Sequence, residues 1–133
     1  MSASPAEHTE TFTPASDLTP LVPRTIYSDE HEALRMTARR YFEEVVAPHH
    51  ARFEAQGHVD RDIWTKAGEA GLLLTAIPEE YGGLGADRLV SAIVMEEQSR
   101  VGASSVGFSL HSDIVAPYIL NFGSEAFLEE ALG

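Results

Sequence analysis

The sequence predicts an all-α protein, a helical bundle of about five to six helices behind a disordered, flexible leader. Apolar residues recur at helical spacing over residues 34–45 and 89–97, and no segment alternates apolar and polar residues as a half-buried strand does. The chain has 133 residues, 44% of them hydrophobic, which suits one domain with one core. We therefore expect a leader over residues 1–25 and one helical domain over residues 26–133.

The leader is predicted from its composition. Pro5, Pro14, Pro20 and Pro23 are too frequent for a regular element, and serine and threonine fill much of the remainder. The segment lacks the basic start and apolar run of a signal peptide. The whole chain also lacks cysteine, which excludes disulfides and thiolate metal sites. We therefore expect a cytoplasmic protein.

Local signals predict the ends of the first two helices. Ser28 with Asp29 supplies an N-cap, and Pro48 ends or bends the helix that follows. One side of this helix is apolar and is expected to be buried, with arginines and glutamates on the other face. The apolar side comprises Leu34, Ala38, Tyr41, Phe42 and Val45. A short second helix is expected to stop at Gly57, a residue suited to the left-handed conformation.

The middle of the chain reads as a third helix and a long connection. Asp60 is positioned to cap a helix that carries Trp64 in the core and closes at Gly71. The apolar run over residues 72–77 is expected to be buried, although it is too short to classify by periodicity. Residues 78–85 are glycine-rich and predict a loop.

Three further helices are expected after this loop. Asp87 is positioned to cap the fourth helix, and residues 102–105 are expected to end it. A fifth helix is expected over about residues 105–122. The inner side of the fourth helix is predicted to comprise Leu89, Val90, Ile93, Val94 and Glu97. Ser124 is positioned to cap a short last helix over residues 125–132.

The fifth helix is apolar on most of its circumference, which predicts burial on all sides. Four modest neighbours are too few to cover it. One interpretation makes it the central core helix of a small bundle. The other leaves one side to line a pocket or to meet a missing partner domain. The pattern alone does not decide between them.

Charge and spacing exclude several functions. The net charge of −12, with no lysine or arginine after Arg100, opposes binding to nucleic acid or anionic membranes. His49, His50 and His58 have no metal-site spacing, so no metal is expected. The glycines of residues 82–85 lack the strand–turn–helix context of a phosphate loop.

Adjacent glutamates predict ion pairs instead of catalysis. Neighbours in a helix point apart, so neither Glu79 with Glu80 nor Glu96 with Glu97 forms a carboxylate dyad. Glu96 is interpreted as a surface charge. Glu97 is interpreted as a partly buried anchor for an arginine.

Three ordered blocks carry a resemblance to a known family: PEEYGG at residues 78–83, MEEQSRVGAS at 95–104 and SLHSDIVAPYILNFGSE at 109–125. DIWTKAGEAGLL at residues 62–73 fits the segment that precedes them. Over residues 26–133 the chain resembles the N-terminal helical domain of the acyl-CoA dehydrogenases, flavoenzymes that desaturate acyl thioesters. The resemblance implies an irregular connection at residues 72–77. It also implies an acyl-chain pocket to which Leu110, His111 and Ile114 contribute.

The resemblance further implies that most of the catalytic machinery lies in other domains. No residue here matches the catalytic base or the flavin contacts of the family. We therefore expect FAD in the complete enzyme, none bound by this chain alone, and no activity of this chain by itself. Expected partners are an acyl-CoA substrate, the middle and C-terminal domains or a complementary subunit, and further copies in a homo-oligomer. The alternative is a helical protein-interaction module or split-enzyme subunit that kept the fold without the chemistry.

Overall fold

The computed structural model describes residues 23–132, and these form an all-α fold. The α-helices are α1 (Asp29–Tyr41), α2 (His50–Gln56), α3 (Arg61–Glu69), α4 (Arg88–Arg100), α5 (Ala116–Phe122) and α6 (Glu125–Leu132). No strand occurs within these residues. The predicted fold class is confirmed. The predicted leader lies outside the described residues except for positions 23–25.

Helix α1 begins where its sequence predicts, at a double cap. The Ser28 hydroxyl accepts from the His31 backbone N–H, and the Ser28 N–H donates in return to His31 Nδ1. The helix continues through a wide turn with i→i+5 bonds at Phe42–Val46 and a tight 3₁₀ turn at Ala47–His49. The proline at position 48 lies in the tight turn, so it bends the path into α2.

The role predicted for Asp60 is only half right. Asp60 occupies the N-cap position of α3, but its side chain makes no capping bond there. Its carboxylate accepts from both Arg52 terminal nitrogens, at 3.0 and 2.5 Å, and from the Gln56 amide at 3.1 Å. The hydrogen bonds from Arg52 lower the pKa of Asp60 to about 2. A long cationic partner therefore outcompetes the helix N–H groups for this carboxylate.

The main core lies between α1 and α4. Tyr41 buries its ring and donates its hydroxyl to the Ile63 carbonyl at 2.6 Å, which joins α1 to α3. Burial raises the pKa of Tyr41 well above its ordinary value. Further fully buried members are Ala38, Phe42, Val46, Phe53, Leu72 and Phe108. Four residues predicted for the core are only partly buried, because they lie at the edge of the buried side of their segments: Leu34, Val45, Trp64 and Leu89.

A second, smaller core joins the connection before α4 to α5 and α6. It contains Ile77, Ala116, Leu128 and Leu132. The run over residues 72–77 forms turns, as the resemblance implied, and Leu74 adopts a positive φ of 52°. Gly83 presses its backbone against Ile77: a Cβ at position 83 would lie 2.0 Å from the Ile77 carbonyl oxygen. This connection therefore positions the base of α5.

Candidate functional site

The fifth helix begins later than the sequence predicts and starts with a wide turn. Helical structure begins at Phe108, not at residue 105, and Leu110–Val115 has i→i+5 bonds before α5. The Gln98 amide donates to the carbonyls of Ala103 (3.0 Å) and Val106 (2.8 Å). Those carbonyls are thereby held in a loop, which delays the helix. Wide turns of this kind occur frequently at functional sites.

One side of this helix is open to solvent although it is apolar. The exposed fractions are 57% for Leu110, 61% for Ile114, 67% for Tyr118 and 75% for Phe122. Val115 is also exposed, and we call these five residues the α5 face. The opposite side is covered, with Ser112 and Ala116 buried. The helix is therefore not a core helix buried on all sides.

The three residues predicted for an acyl pocket separate into two environments. Leu110 and Ile114 lie together on the α5 face. His111 is half-buried, with its ring 5.4 Å from that of Trp64 and its Nδ1 3.2 Å from Ser112 Oγ. Burial lowers the pKa of His111, which favours the neutral imidazole. The pocket role of all three remains a prediction.

Ser112 is a positioning residue that the sequence reasoning missed. Its hydroxyl accepts from the Leu74 N–H at 3.0 Å, and its side chain is buried. This bond ties the wide turn to the left-handed residue of the preceding connection. The available signal was a small polar residue in a helix that is otherwise apolar on most of its circumference. The α5 face is thus held on a fixed support.

The C-terminal end of the α5 face borders a groove between α5 and α6. A cavity of about 320 Å³ is lined by Tyr118, Ile119, Phe122, Gly123, Ser124 and Phe127. The Tyr118 and Phe122 rings lie 5.0 Å apart. A Cβ at position 123 would lie 3.3 Å from the Phe127 side chain and 3.4 Å from the Leu128 side chain, so glycine permits the close approach of α6 to the end of α5. The groove is apolar and open at one side.

The adjacent glutamates of α4 take part in ion pairs. Glu97 is 2% exposed and contacts Arg35, Arg39 and Arg100 at 3.3, 2.9 and 3.1 Å. Burial opposes ionisation of Glu96, but hydrogen bonds from Arg35 and Arg24 outweigh it and lower its pKa. The arrangement clamps α1 to α4 and contains no shared-proton dyad.

A serine, a histidine and an aspartate also meet, at the starts of α1 and α4. His31 Nε2 lies 3.2 Å from both Asp87 oxygens, and Ser28 Oγ lies 2.9 Å from His31 Nδ1. However, the Ser28 hydroxyl already caps α1. The Asp87 carboxylate accepts from the Leu89 N–H at 2.9 Å and caps α4. The cluster is a structural link between two helix caps.

The other sequence candidates have structural roles. Among residues 23–132 no group of three metal-ligating side chains comes together. In the glycine-rich loop, Gly82 and Gly85 adopt positive φ and form turns. Across the part of the chain that is described, no helix is long and apolar enough to cross a bilayer.

Comparison with known proteins identifies the family. The family model described as "Acyl-CoA dehydrogenase, N-terminal domain" matches residues 28–133. The chain belongs to the acyl-CoA dehydrogenase family and corresponds to its N-terminal helical domain. It is similar to a solved acyl-CoA dehydrogenase from Geobacillus kaustophilus, with a TM-score of 0.76 and 38% identity over 83% of this chain and 29% of that chain.

Curated relatives share this relationship. The mitochondrial long-chain specific acyl-CoA dehydrogenase of Sus scrofa is 50% identical over 111 residues, covering 84% of this chain and 26% of the relative. The Mus musculus protein of the same name is 46% identical, covering 87% of this chain and 27% of the relative. A probable acyl-CoA dehydrogenase of Bacillus subtilis is 41% identical over 74% of this chain and 17% of its own length. The chain thus spans about a quarter of the long-chain relatives.

Proposed function

We propose that the chain forms one wall of the acyl-chain pocket in an enzyme that desaturates long-chain acyl-CoA thioesters. The supporting observation is the exposed apolar pair Leu110 and Ile114, set on a wide turn, in a chain half identical to a long-chain specific relative. An alkyl chain laid on this pair removes apolar surface from water, which supplies about 25 cal/mol per Å². The substrate's hydrocarbon tail is therefore the part that this domain binds.

The same face does not fit the charged parts of the substrate or cofactor. From residue 101 onward the sequence has no lysine or arginine to meet the phosphates of coenzyme A or FAD. FAD accepts the hydride in this reaction, and a carboxylate base takes the proton beside the thioester carbonyl. We propose that the carboxylate base and the residues that bind FAD lie in the remaining three quarters of the enzyme. This chain alone is then inactive and binds no FAD.

The role of His111 in this proposal is to keep the pocket wall uncharged. A neutral imidazole packed on Trp64 presents ring edge beside an alkyl chain, whereas an imidazolium would have to be desolvated. Ser112 holds the same turn in position through Leu74. The wall is therefore both apolar and fixed.

The experiment joins this chain to the remainder of the Geobacillus kaustophilus enzyme, in place of that enzyme's matching region. We expect the fused protein to bind FAD and to oxidise palmitoyl-CoA with an artificial electron acceptor. Leu110→Trp or Ile114→Trp should lower kcat/KM for palmitoyl-CoA about tenfold and spare butyryl-CoA. Met36→Trp, an exposed site on α1, is the control. Equal loss with both substrates would contradict the pocket role.

The chain by itself gives a second test. After purification we expect no flavin absorbance to co-elute in gel filtration and no turnover with acyl-CoA. A yellow protein or measurable turnover would show that this domain holds more of the machinery. A cytoplasmic location and a homo-oligomeric complete enzyme also remain proposals, and subcellular fractionation and light scattering test them.

The exposed α5 face also supports a second candidate, a helical interaction module that kept the fold without the chemistry. The two candidates differ in their ligands. A pocket wall in the fused protein responds to acyl-chain length. A module binds its partner whether or not FAD and acyl-CoA are present. A fused protein that folds, binds FAD and never turns over would favour the module.

A further inference from the structure

We propose that the groove between α5 and α6 receives an apolar side chain from the polypeptide that completes the enzyme, with lysine or arginine residues beside that side chain. This inference rests on the proposed function and names the chemistry of the partner surface. It concerns the C-terminal end of the α5 face, beyond the Leu110–Ile114 pair. The inference is based on the shape of the groove and on the charge beside it.

The groove is suited to an anchoring side chain. Its volume of about 320 Å³ exceeds that of one large aliphatic or aromatic residue, and three of its six lining residues are aromatic. Tyr118, Phe122 and Phe127 are all exposed around it. Aromatic residues in a concave apolar patch are typical of the few positions that dominate binding energy at interfaces.

One rim of the groove is acidic. Glu130 lies one helical turn beyond Phe127 on the same side of α6, whereas Glu125 and Glu129 are each two residues from Phe127 and lie on other sides of this helix. The Tyr81 hydroxyl donates to Glu125 at 2.9 Å, and that bond, with the nearby negative charges, raises the pKa of Tyr81. No basic residue follows Arg100 in the sequence. A complementary surface must therefore bring positive charge.

The same charge argues against a second copy of this chain as the occupant. Two copies that met through this face would place the acidic α6 helices near each other, and each copy carries a net charge of −12. Like charges placed against each other oppose association. The relatives instead continue for about three times the length that this chain covers, since it spans 26% of the Sus scrofa protein. That additional polypeptide is the occupant we infer.

The test co-expresses the tagged 133-residue chain with the polypeptide that follows the matched region in the Geobacillus kaustophilus enzyme. Binding is measured by retention on the tag and by the dissociation constant of the purified complex at several salt concentrations. Phe122→Asp should weaken binding about 30-fold or more. Glu130→Lys should weaken it about three- to tenfold at low salt, and less at high salt.

Matched controls separate this surface from others. Met36→Asp places a charge on another exposed apolar residue, and Glu69→Lys reverses a charge on α3; neither should change the dissociation constant. Circular dichroism checks that each variant stays helical. In the fused protein, Phe122→Asp should also lower the melting temperature more than Met36→Asp does. This second readout applies even if the separate remainder fails to fold.

The outcomes are decisive in each direction. Equal effects of Phe122→Asp and Met36→Asp, tighter binding after Glu130→Lys, or a homodimer broken by Phe122→Asp would overturn the inference. If the fused protein turns over acyl-CoA while these variants change nothing, only the docking surface is wrong. If it assembles through this face but oxidises no acyl-CoA, the proposed function is wrong.

Discussion

Glu97 is the residue whose neutralisation should most destabilise the fold, and Glu97→Gln tests this. Its carboxylate lies between α1 and α4, where Arg35, Arg39 and Arg100 all approach it within 3.3 Å. Glutamine keeps the volume, so the variant opens no cavity. It removes the negative charge and turns an amide NH₂ toward the guanidinium groups, so part of the cluster loses its counter-charge.

The magnitude follows from the burial of the cluster. Removing one partner of a buried ion pair costs about 3–5 kcal/mol. The three arginine side chains are 12%, 36% and 21% exposed, so they regain some hydration. We therefore expect a loss at the lower end, about 3 kcal/mol of the free energy of unfolding. For a domain of this size that corresponds to a fall in Tm of about 10–20 °C.

Urea unfolding followed by circular dichroism at pH 7 measures this loss, and Glu96→Gln is the matched control. Glu96 is the neighbouring residue, but its side chain is 36% exposed and contacts Arg24 and Arg35 at the surface. Its replacement should cost about 1 kcal/mol or less. If Glu97→Gln costs no more than Glu96→Gln, the buried carboxylate does not hold α1 against α4 and the reasoning is refuted.

Three further predictions concern backbone, pH and surface. Gly83→Ala should destabilise by about 2 kcal/mol or more because its Cβ would meet a backbone carbonyl, whereas Gly68→Ala, in open space within α3, should stabilise by about 0.5–1 kcal/mol in the same urea assay. Burial lowers the pKa of His111, so the folded state resists protonation and wild-type stability should fall as pH drops through about 6.5. His111→Leu should lose that slope; an unchanged pH profile would contradict it. Tyr118→Glu should leave the helical signal intact and reduce hydrophobic dye binding, since this side chain is mostly exposed; unfolding would mean that the α5 face is core.

Much of the fold is readable in the sequence because the signals are local. Ser28 and Asp87 cap their helices as predicted, since a short side-chain oxygen reaches backbone N–H groups two or three residues ahead. Gly57 ends α2 with a φ of 79° for an equally local reason. The ordered motif blocks likewise gave the family, which the match over residues 28–133 confirms.

The predictions that were wrong concern positions where side chains contact another element. The Asp60 carboxylate does not bond to the backbone N–H groups of α3, and accepts instead from Arg52, eight residues away. The start of the fifth helix was placed three residues too early because an amide on α4 holds the preceding loop. The spacing of apolar residues within one helix does not indicate either contact. Both depend on where another element packs.

The sequence by itself determined the helical class, most helix ends, the family and the pairing of a partly buried Glu97 with an arginine; the full burial of Glu97 and its three arginine partners came from the structure. Only the tertiary structure decided which side of the fifth helix is covered. Its apolar residues look alike in the sequence, yet Ala116 is buried against the second core while Tyr118, two residues later, is exposed. The reason is that burial is set by the neighbours available to each side. This chain provides neighbours for one side of the helix and leaves the α5 face open.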